Sequence, residues 1–214
     1  MHPIRCCIVT VLQPPRRREA TVERLLDAAL ETFADQGFAA ASVEDVCRRG
    51  GFTRGAFYSS FRTKDELFAA LFTREVTRDL ARATEALVGL AGEADPVAAA
   101  VDRCLAVFRS DRTWTLVATE YVLHAARHPE AAALLARHRE GLRNQLVDLI
   151  GRSAAEAGVR LVVSADQLAH AVTALHDGLT LQQLETPAAD LAELERTALL
   201  MLLRGATTPV APPA

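Results

Sequence analysis

Aromatic residues are scarce, at 5% of 214 positions, and no apolar run approaches the ~20 residues that a membrane-spanning helix needs. The stretch from Ile4 to Leu12 behind Arg5 is too short for that role, and no small-residue cleavage site follows it, so neither a membrane segment nor a signal peptide is expected. The four cysteines, Cys6, Cys7, Cys47 and Cys104, lack both the paired spacing of a zinc site and the density of a secreted disulfide scaffold; the expected compartment is a reducing cytoplasm. Val and Ile are too sparse for a β-sandwich, and strand-like alternation is missing. There is no nucleophile elbow, phosphate-cradling loop or metalloprotease motif, so neither an enzyme nor a bound cofactor is expected. Nor is there an excess of positive charge. The net charge is −3, divided into ten basic against nine acidic residues in the first seventy positions and fourteen against eighteen afterwards.

What the chain has in quantity is Ala and Leu arranged with a helical period. Half of its residues are hydrophobic, and from the Pro14-Pro15 break to the Pro-rich end Thr207 to Ala214 nearly every segment reads as helix. Val22, Leu25, Leu26, Ala29, Leu30 and Phe33 form one apolar stripe, with Glu23, Arg24, Asp27 and Glu31 facing away and Gly37 as the stop. Ser42 with Asp45 makes a capping box for a short helix that ends at Gly50-Gly51. Thr53 caps a second short helix, which can run only to about Ser60 because Thr63 with Glu66 starts a long helix fading near Gly89 to Gly92. Beyond it, Asp95-Pro96, Thr113, Pro129, Ser164 and Pro187 each open a further helix. The expected fold is all-α, with about nine helices.

Two short helices on a tight glycine turn, with a third before them, form a helix-turn-helix arrangement. The second short helix must bring its N-terminus to the major groove, so small or hydrogen-bonding residues belong at its start and apolar anchors behind. Thr53, Arg54, Gly55 and Ala56, followed by Phe57 and Phe61, meet that demand. Thr53 can donate to a phosphate, Arg54 can fork onto guanine, and Gly55 and Ala56 allow close approach to a thymine methyl. Tyr58 and Ser59 lie beside the groove wall, while Ser42 and Lys64, at the starts of the flanking helices, can clamp the backbone. Taken singly, Thr53 is equally a cap, Arg54 a solvated charge and Tyr58 a half-buried ring; it is their order that favours DNA. Phe57, Phe61, Val43 and Val46 are core. Arg16-Arg17-Arg18 is either an arm reaching DNA or a solvated basic tail.

The run from Arg24-Leu-Leu-Asp-Ala-Ala-Leu to Gly37-Phe38, then Ser42-Val-Glu-Asp-Val46, Gly51-Phe-Thr-Arg-Gly-Ala-Phe-Tyr58-Ser-Ser-Phe61 and Lys64-Asp-Glu-Leu67, resembles the DNA-binding domain of the TetR family. The likeness covers about residues 21 to 68; beyond it only the helical layout is similar. It implies an N-terminal three-helix helix-turn-helix domain over residues 16–65 and a helical ligand-binding and dimerisation domain over 66–205, flanked by a flexible extension (1–15) and a disordered tail (206–214). It further implies a homodimer joined through Ser164 to Glu185 and Pro187 to Arg204, a double-stranded DNA operator, and repression relieved by a small organic effector, apolar or aromatic. Two departures stand out: Ser59-Ser60 where many members carry histidine or a larger polar residue, and Cys47 where alanine is common.

In the C-terminal half, Trp114, Val117, Tyr121 and His124 recur along one helix and are candidates for a ligand pocket, with ordinary core as the competing reading. Phe108, Leu175, His176 and Leu179 are further candidates. Glu120, His124 and His128 follow one another at i, i+4 spacing, which leaves a metal-responsive regulator of the same build as the alternative, with a redox sensor beside it and a helical enzyme more remote.

Overall fold

The computed structural model describes residues 15–107, 111–186 and 190–210, with the side chains of residues 15–17 excepted. Nine α-helices occur among these residues: α1 (Pro15–Gln36), α2 (Val43–Gly50), α3 (Arg54–Tyr58), α4 (Lys64–Ala86), α5 (Pro96–Val107), α6 (Arg112–Ala125), α7 (Pro129–Glu156), α8 (Ala165–Glu185) and α9 (Ala192–Ala206).

Helix starts follow local chemistry. Ser42 Oγ accepts the Asp45 amide at 3.2 Å while the Asp45 carboxylate accepts the Ser42 amide at 3.1 Å. The same reciprocal box opens α8 at Ser164 and Gln167. Thr53 and Thr63 cap α3 and α4, and Asp95 caps α5. Losing such a cap costs typically ~1 kcal/mol, so Ser42→Ala is expected to lower thermal stability by about that amount, readable as a shifted denaturation midpoint with an unchanged slope.

Several expectations need correction. The Arg16–Arg18 run does not precede the first helix as a flexible tail, since its backbone lies in the first turns of α1. The helix after Phe108 starts at Arg112 with Asp111 as its cap, a signal the sequence reading passed over. The last helix begins at Ala192; the start assigned to Pro187 lies outside the described residues. Strand is also present. β1 (Val159–Leu161) pairs antiparallel with β2 (Thr207–Pro209), and Val162 N to Ala206 O and Val210 N to Gly158 O extend the ribbon. Residues 207–209 thus form a strand inside the stretch expected to be a disordered tail. Three-residue strands are too short to display alternation, which is why they were illegible.

Two cores result. One joins Leu25, Phe33, Val46, Phe57 and Phe61 of the first three helices and the turn after α3 to Leu67, Phe68 and Leu71 of α4, Val117 and Tyr121 of α6, and Leu135 of α7. The other fills the far end, from Leu80, Ala83, Leu87 and Leu90 to Leu142 and Leu149. The helix-turn-helix head thus shares its interior with the middle of the chain. Arg74, with 7% of its side chain exposed, reinforces the junction by bonding Asp27 at 2.7 Å and the Glu23 carbonyl at 3.3 Å on α1.

At the far end, His176 Nδ1 of α8 lies 2.8 Å from Glu195 Oε1 of α9. The Glu195 hydrogen bond raises the imidazole pKa above its usual value of 6.5, with smaller help from Asp177 and Asp79 and against the opposing pull of burial. A raised histidine pKa stabilises the fold fully below the unfolded value and loses that contribution as pH rises through the folded one. The stability gap between the protein and His176→Gln should therefore be wide near pH ~6 and narrow near pH ~9, as read from urea midpoints.

Candidate nucleic-acid interface

The turn between α2 and α3 is set by Gly51, which ends α2 at φ +71°, a conformation that side chains resist. Its amide returns to the Arg48 carbonyl at 3.4 Å, and Phe52 N bonds the Cys47 carbonyl at 2.8 Å. Cys47 is buried, with its Sγ 3.7 Å from the Thr53 carbonyl, and burial pushes its thiol pKa up. It packs α2 against the start of α3. A buried protonated thiol is a poor nucleophile.

On α3 the polarity is sharply divided. Phe57 is fully buried, its ring 5.8 Å from that of Phe61, whereas Thr53, Arg54, Gly55, Tyr58 and Ser59 are all exposed. Ala56 is half-buried between them. A Cβ on Gly55 would meet only Thr53 Oγ1, at 3.8 Å, so that surface is open to close approach. Thr53 Oγ1 accepts the Ala56 amide at 3.2 Å, which leaves its O–H free to donate outward. Tyr58, half exposed, stands edge-on to Phe57 at 5.2 Å. Arg54 pairs with Glu44 of α2 at 2.9 Å, a partner that sequence reasoning missed.

Three of the expected DNA-facing residues are differently engaged. Ser42 Oγ donates to Asp45 at 2.5 Å within the capping box, and Ser59 Oγ donates to the Ala56 carbonyl at 2.7 Å. Lys64 departs most from expectation. Its Nζ donates to the carbonyls of Phe38 (2.6 Å), Ala41 (2.7 Å) and Ala39 (3.4 Å) and lies 4.4 Å from the centre of the Phe38 ring. Three carbonyls match its three N–H donors, so the ammonium ties the α1–α2 turn to α4 and is not held out as a phosphate clamp. Burial lowers its pKa.

Behind this surface, Phe38 is the joint between the head and α6. Its ring is edge-on to Phe33 (5.1 Å), Phe68 (5.8 Å) and Tyr121 (4.8 Å), and its amide donates to Glu120 Oε2 at 2.7 Å. Glycine suits position 37 because its φ is +80°, and a Cβ there would crowd the same Glu120 carboxylate at 3.1 Å. Tyr121 stacks on Phe68 at 3.7 Å and donates its hydroxyl to Asp65 at 3.0 Å, while His124 Nε2 lies 3.2 Å from the same carboxylate oxygen. Burial first, then Asp65, pushes the Tyr121 phenol well above its usual range, so it remains a donor.

The candidate ligand residues lie on two neighbouring helices, α6 and α8. Trp114, Val117, Tyr121 and His124 lie in the core shared with the head and α4; Val117 and Tyr121 are fully buried, and Trp114 is near-parallel to Phe68 with centroids 6.2 Å apart. Leu175, His176 and Leu179 lie on α8, where His176 turns to α9. Phe108 lies outside the described residues. The His124 and His128 rings stack with centroids 4.0 Å apart, but Glu120, His124 and His128 do not converge on one point, because Glu120 bonds Phe38 N, His124 faces Asp65, and His128 Nδ1 approaches the His124 carbonyl at 2.8 Å. Among the described residues, no group of three or more His, Cys, Asp or Glu is placed to hold a metal. A shallow depression of about 220 Å³ lies between Thr77, Leu80 and Thr84 of α4 and Gln145, Asp148 and Arg152 of α7, a place the sequence did not single out.

Glu120 and Asp65 are the head-to-body residues that sequence reasoning missed. Glu120 drew notice only for its spacing with histidines, and Asp65 only as part of the Lys64 to Leu67 run; their partners are 82 and 56 residues away in the chain. Arg74 was more legible, because it interrupts the apolar stripe of Leu67 and Leu71.

Comparison with known proteins agrees with this geometry. Residues 25–71 match the model of bacterial regulatory proteins of the tetR family, and residues 93–204 match that of the BetI-type transcriptional repressor C-terminal domain. The HTH-type transcriptional regulator YwcC of Bacillus subtilis is 38% identical over 58 residues, which span 27% of this chain and 26% of YwcC. Among solved structures, a transcriptional regulator from Rhodococcus sp. RHA1 superposes with a TM-score of 0.64 at 29% identity, covering 89% of this chain and 99% of that one. Salmonella enterica GusR gives 0.68 at 25% identity, covering 90% and 98%. No helix among the described residues is long and apolar enough to cross a membrane. With one family model over the head and a second over more than half of the chain, the protein belongs to the TetR family of bacterial transcriptional regulators.

Proposed function

We propose that the protein is a homodimeric repressor that reads a pseudo-palindromic operator through Thr53, Arg54, Gly55, Ala56 and Tyr58 and releases it when a small apolar or aromatic effector binds. The observation that carries this reading is the polarity of α3: a fully buried Phe57 on one side and a hydrogen-bonding, sterically open face on the other. In this reading the head spans residues 16–65 and the body 66–205. Dimerisation is supported by apolar side chains left uncovered on the last two helices, Leu181 (42% exposed) on α8 and Leu194 (52%) and Met201 (72%) on α9. Two such helices from each subunit would close over these stripes and set two α3 helices on one side of the duplex.

Effector coupling follows from the shared core. The Trp114 and Tyr121 rings lie against Phe68, so a ligand inserted beside α6 has to part the rings that fix Phe38 and, through it, the head. Such a ligand must favour the parted state to shift the equilibrium. A coupling of ~1 to 3 kcal/mol would weaken operator binding by ~5- to 150-fold.

The test combines sedimentation with the emission of Trp114, the sole tryptophan. The protein should sediment as a dimer at micromolar concentration, and an effector should change Trp114 emission over the range in which labelled operator is released. A monomer would overturn the dimeric reading. Release with Trp114 undisturbed, and unaltered in Trp114→Phe, would overturn the effector placement.

A further inference from the structure

The exposed face of the head carries one ion pair that bridges its two short helices. Glu44 lies in the first turn of α2 but outside the Ser42–Asp45 capping box, and its Oε1 forms an ion pair with Arg54 Nη1 of the first turn of α3 at 2.9 Å. Both side chains are open to solvent, 47% and 62% exposed, and a pair so exposed adds little to folding. Its consequence is where the guanidinium stands. The Tyr58 ring centre lies 5.9 Å from the guanidinium carbon, so carboxylate and ring bracket the fork.

An unbracketed arginine at this place would swing to whichever phosphate came nearest, adding affinity without sequence information. A neighbouring carboxylate opposes that in two ways: it offsets the positive charge seen by the phosphates and repels them directly. Guanine recognition survives the pairing. The guanidinium has five N–H donors, and engagement of one terminal nitrogen by Glu44 leaves others for the O6 and N7 acceptors.

We propose that Glu44 is a specificity-determining positioning residue, which holds the Arg54 fork for a guanine edge and penalises its capture by phosphates. The proposal rests on the reading of α3 as the DNA-reading helix. Glu44→Gln keeps the length and a carbonyl acceptor for Arg54 but removes the charge. Its affinity for mixed-sequence duplex is expected to rise about three- to tenfold, with a salt dependence steeper by about one counterion. Preference at the base pair read by Arg54 is expected to fall at least ~5-fold, with other positions unmoved.

Selection from randomised duplexes, followed by anisotropy titrations at several salt concentrations, tests this on the full-length protein and on Glu44→Gln, Arg54→Ala and the double variant. Higher general affinity together with a preference lost at one base pair supports the proposal. So does an Arg54→Ala background in which Glu44→Gln no longer alters that base pair. Unchanged preferences and salt slope in Glu44→Gln, beside a defined consensus for the unsubstituted protein, would overturn the proposal and leave the DNA-reading function standing. A uniform loss of affinity would also overturn it, as general damage to the head. A further change at that base pair in the Arg54→Ala background would show Glu44 reading the base itself, which contradicts a positioning role. Sequence-independent binding by the unsubstituted protein would overturn both readings.

Discussion

Phe38→Ala is expected to destabilise the protein by about 3 to 5 kcal/mol, the range for emptying a close-packed phenylalanine site. Phe38 is 1% exposed and lies where α1, the α1–α2 turn, α4 and α6 meet, with Phe33, Phe68, Tyr121, His124 and the Lys64 ammonium all against its ring. Removing the ring leaves a cavity that the backbone cannot close. The amide of residue 38 is held by Glu120, and its carbonyl by Lys64. Urea unfolding checks the figure; a loss below about 1 kcal/mol would mean that the site collapses and that head and body are not rigidly joined. The substitution should also blunt effector-driven release more than it weakens operator binding, because it removes the joint and spares the exposed face of α3.

That joint marks the limit of what local pattern reveals. The Ser42, Thr53 and Thr63 caps, the Gly37 and Gly51 stops and the apolar stripe from Val22 to Phe33 were all legible, because each is fixed by residues within one or two turns. The split face of α3 was legible for the same reason. Partners distant in the chain were not. Nothing near Glu120 indicates that its carboxylate accepts the Phe38 amide, and nothing near Lys64 indicates that its ammonium would be taken up by carbonyls about 25 residues away, a tertiary choice that overrides a good local reason for a phosphate clamp. Likewise Trp114, Val117 and Tyr121 suit a pocket as well as a core by composition alone; in the fold they pack between head and body.

Arg54→Ala should have the largest effect on DNA recognition. A bidentate arginine–guanine contact contributes ~1 to 3 kcal/mol of discrimination, and a dimer makes it twice, so affinity for the best operator is expected to fall by roughly 2 to 6 kcal/mol. Folding should be spared, since the side chain is 62% exposed and its partner Glu44 remains solvated. Anisotropy titrations on the best operator and on operators altered at single base pairs provide the readout. The loss should concentrate at one base pair in each half-site. An equal loss on every sequence would reassign Arg54 to the phosphates.

Recovery of bound duplexes from a randomised pool by the unsubstituted protein tests DNA reading most directly. Two α3 helices related by a dimer axis predict a pseudo-palindromic consensus whose half-site centres lie about 10 base pairs, or a multiple of that, apart. A recovered pool with no shared sequence, bound no more tightly than the starting mixture, would contradict it.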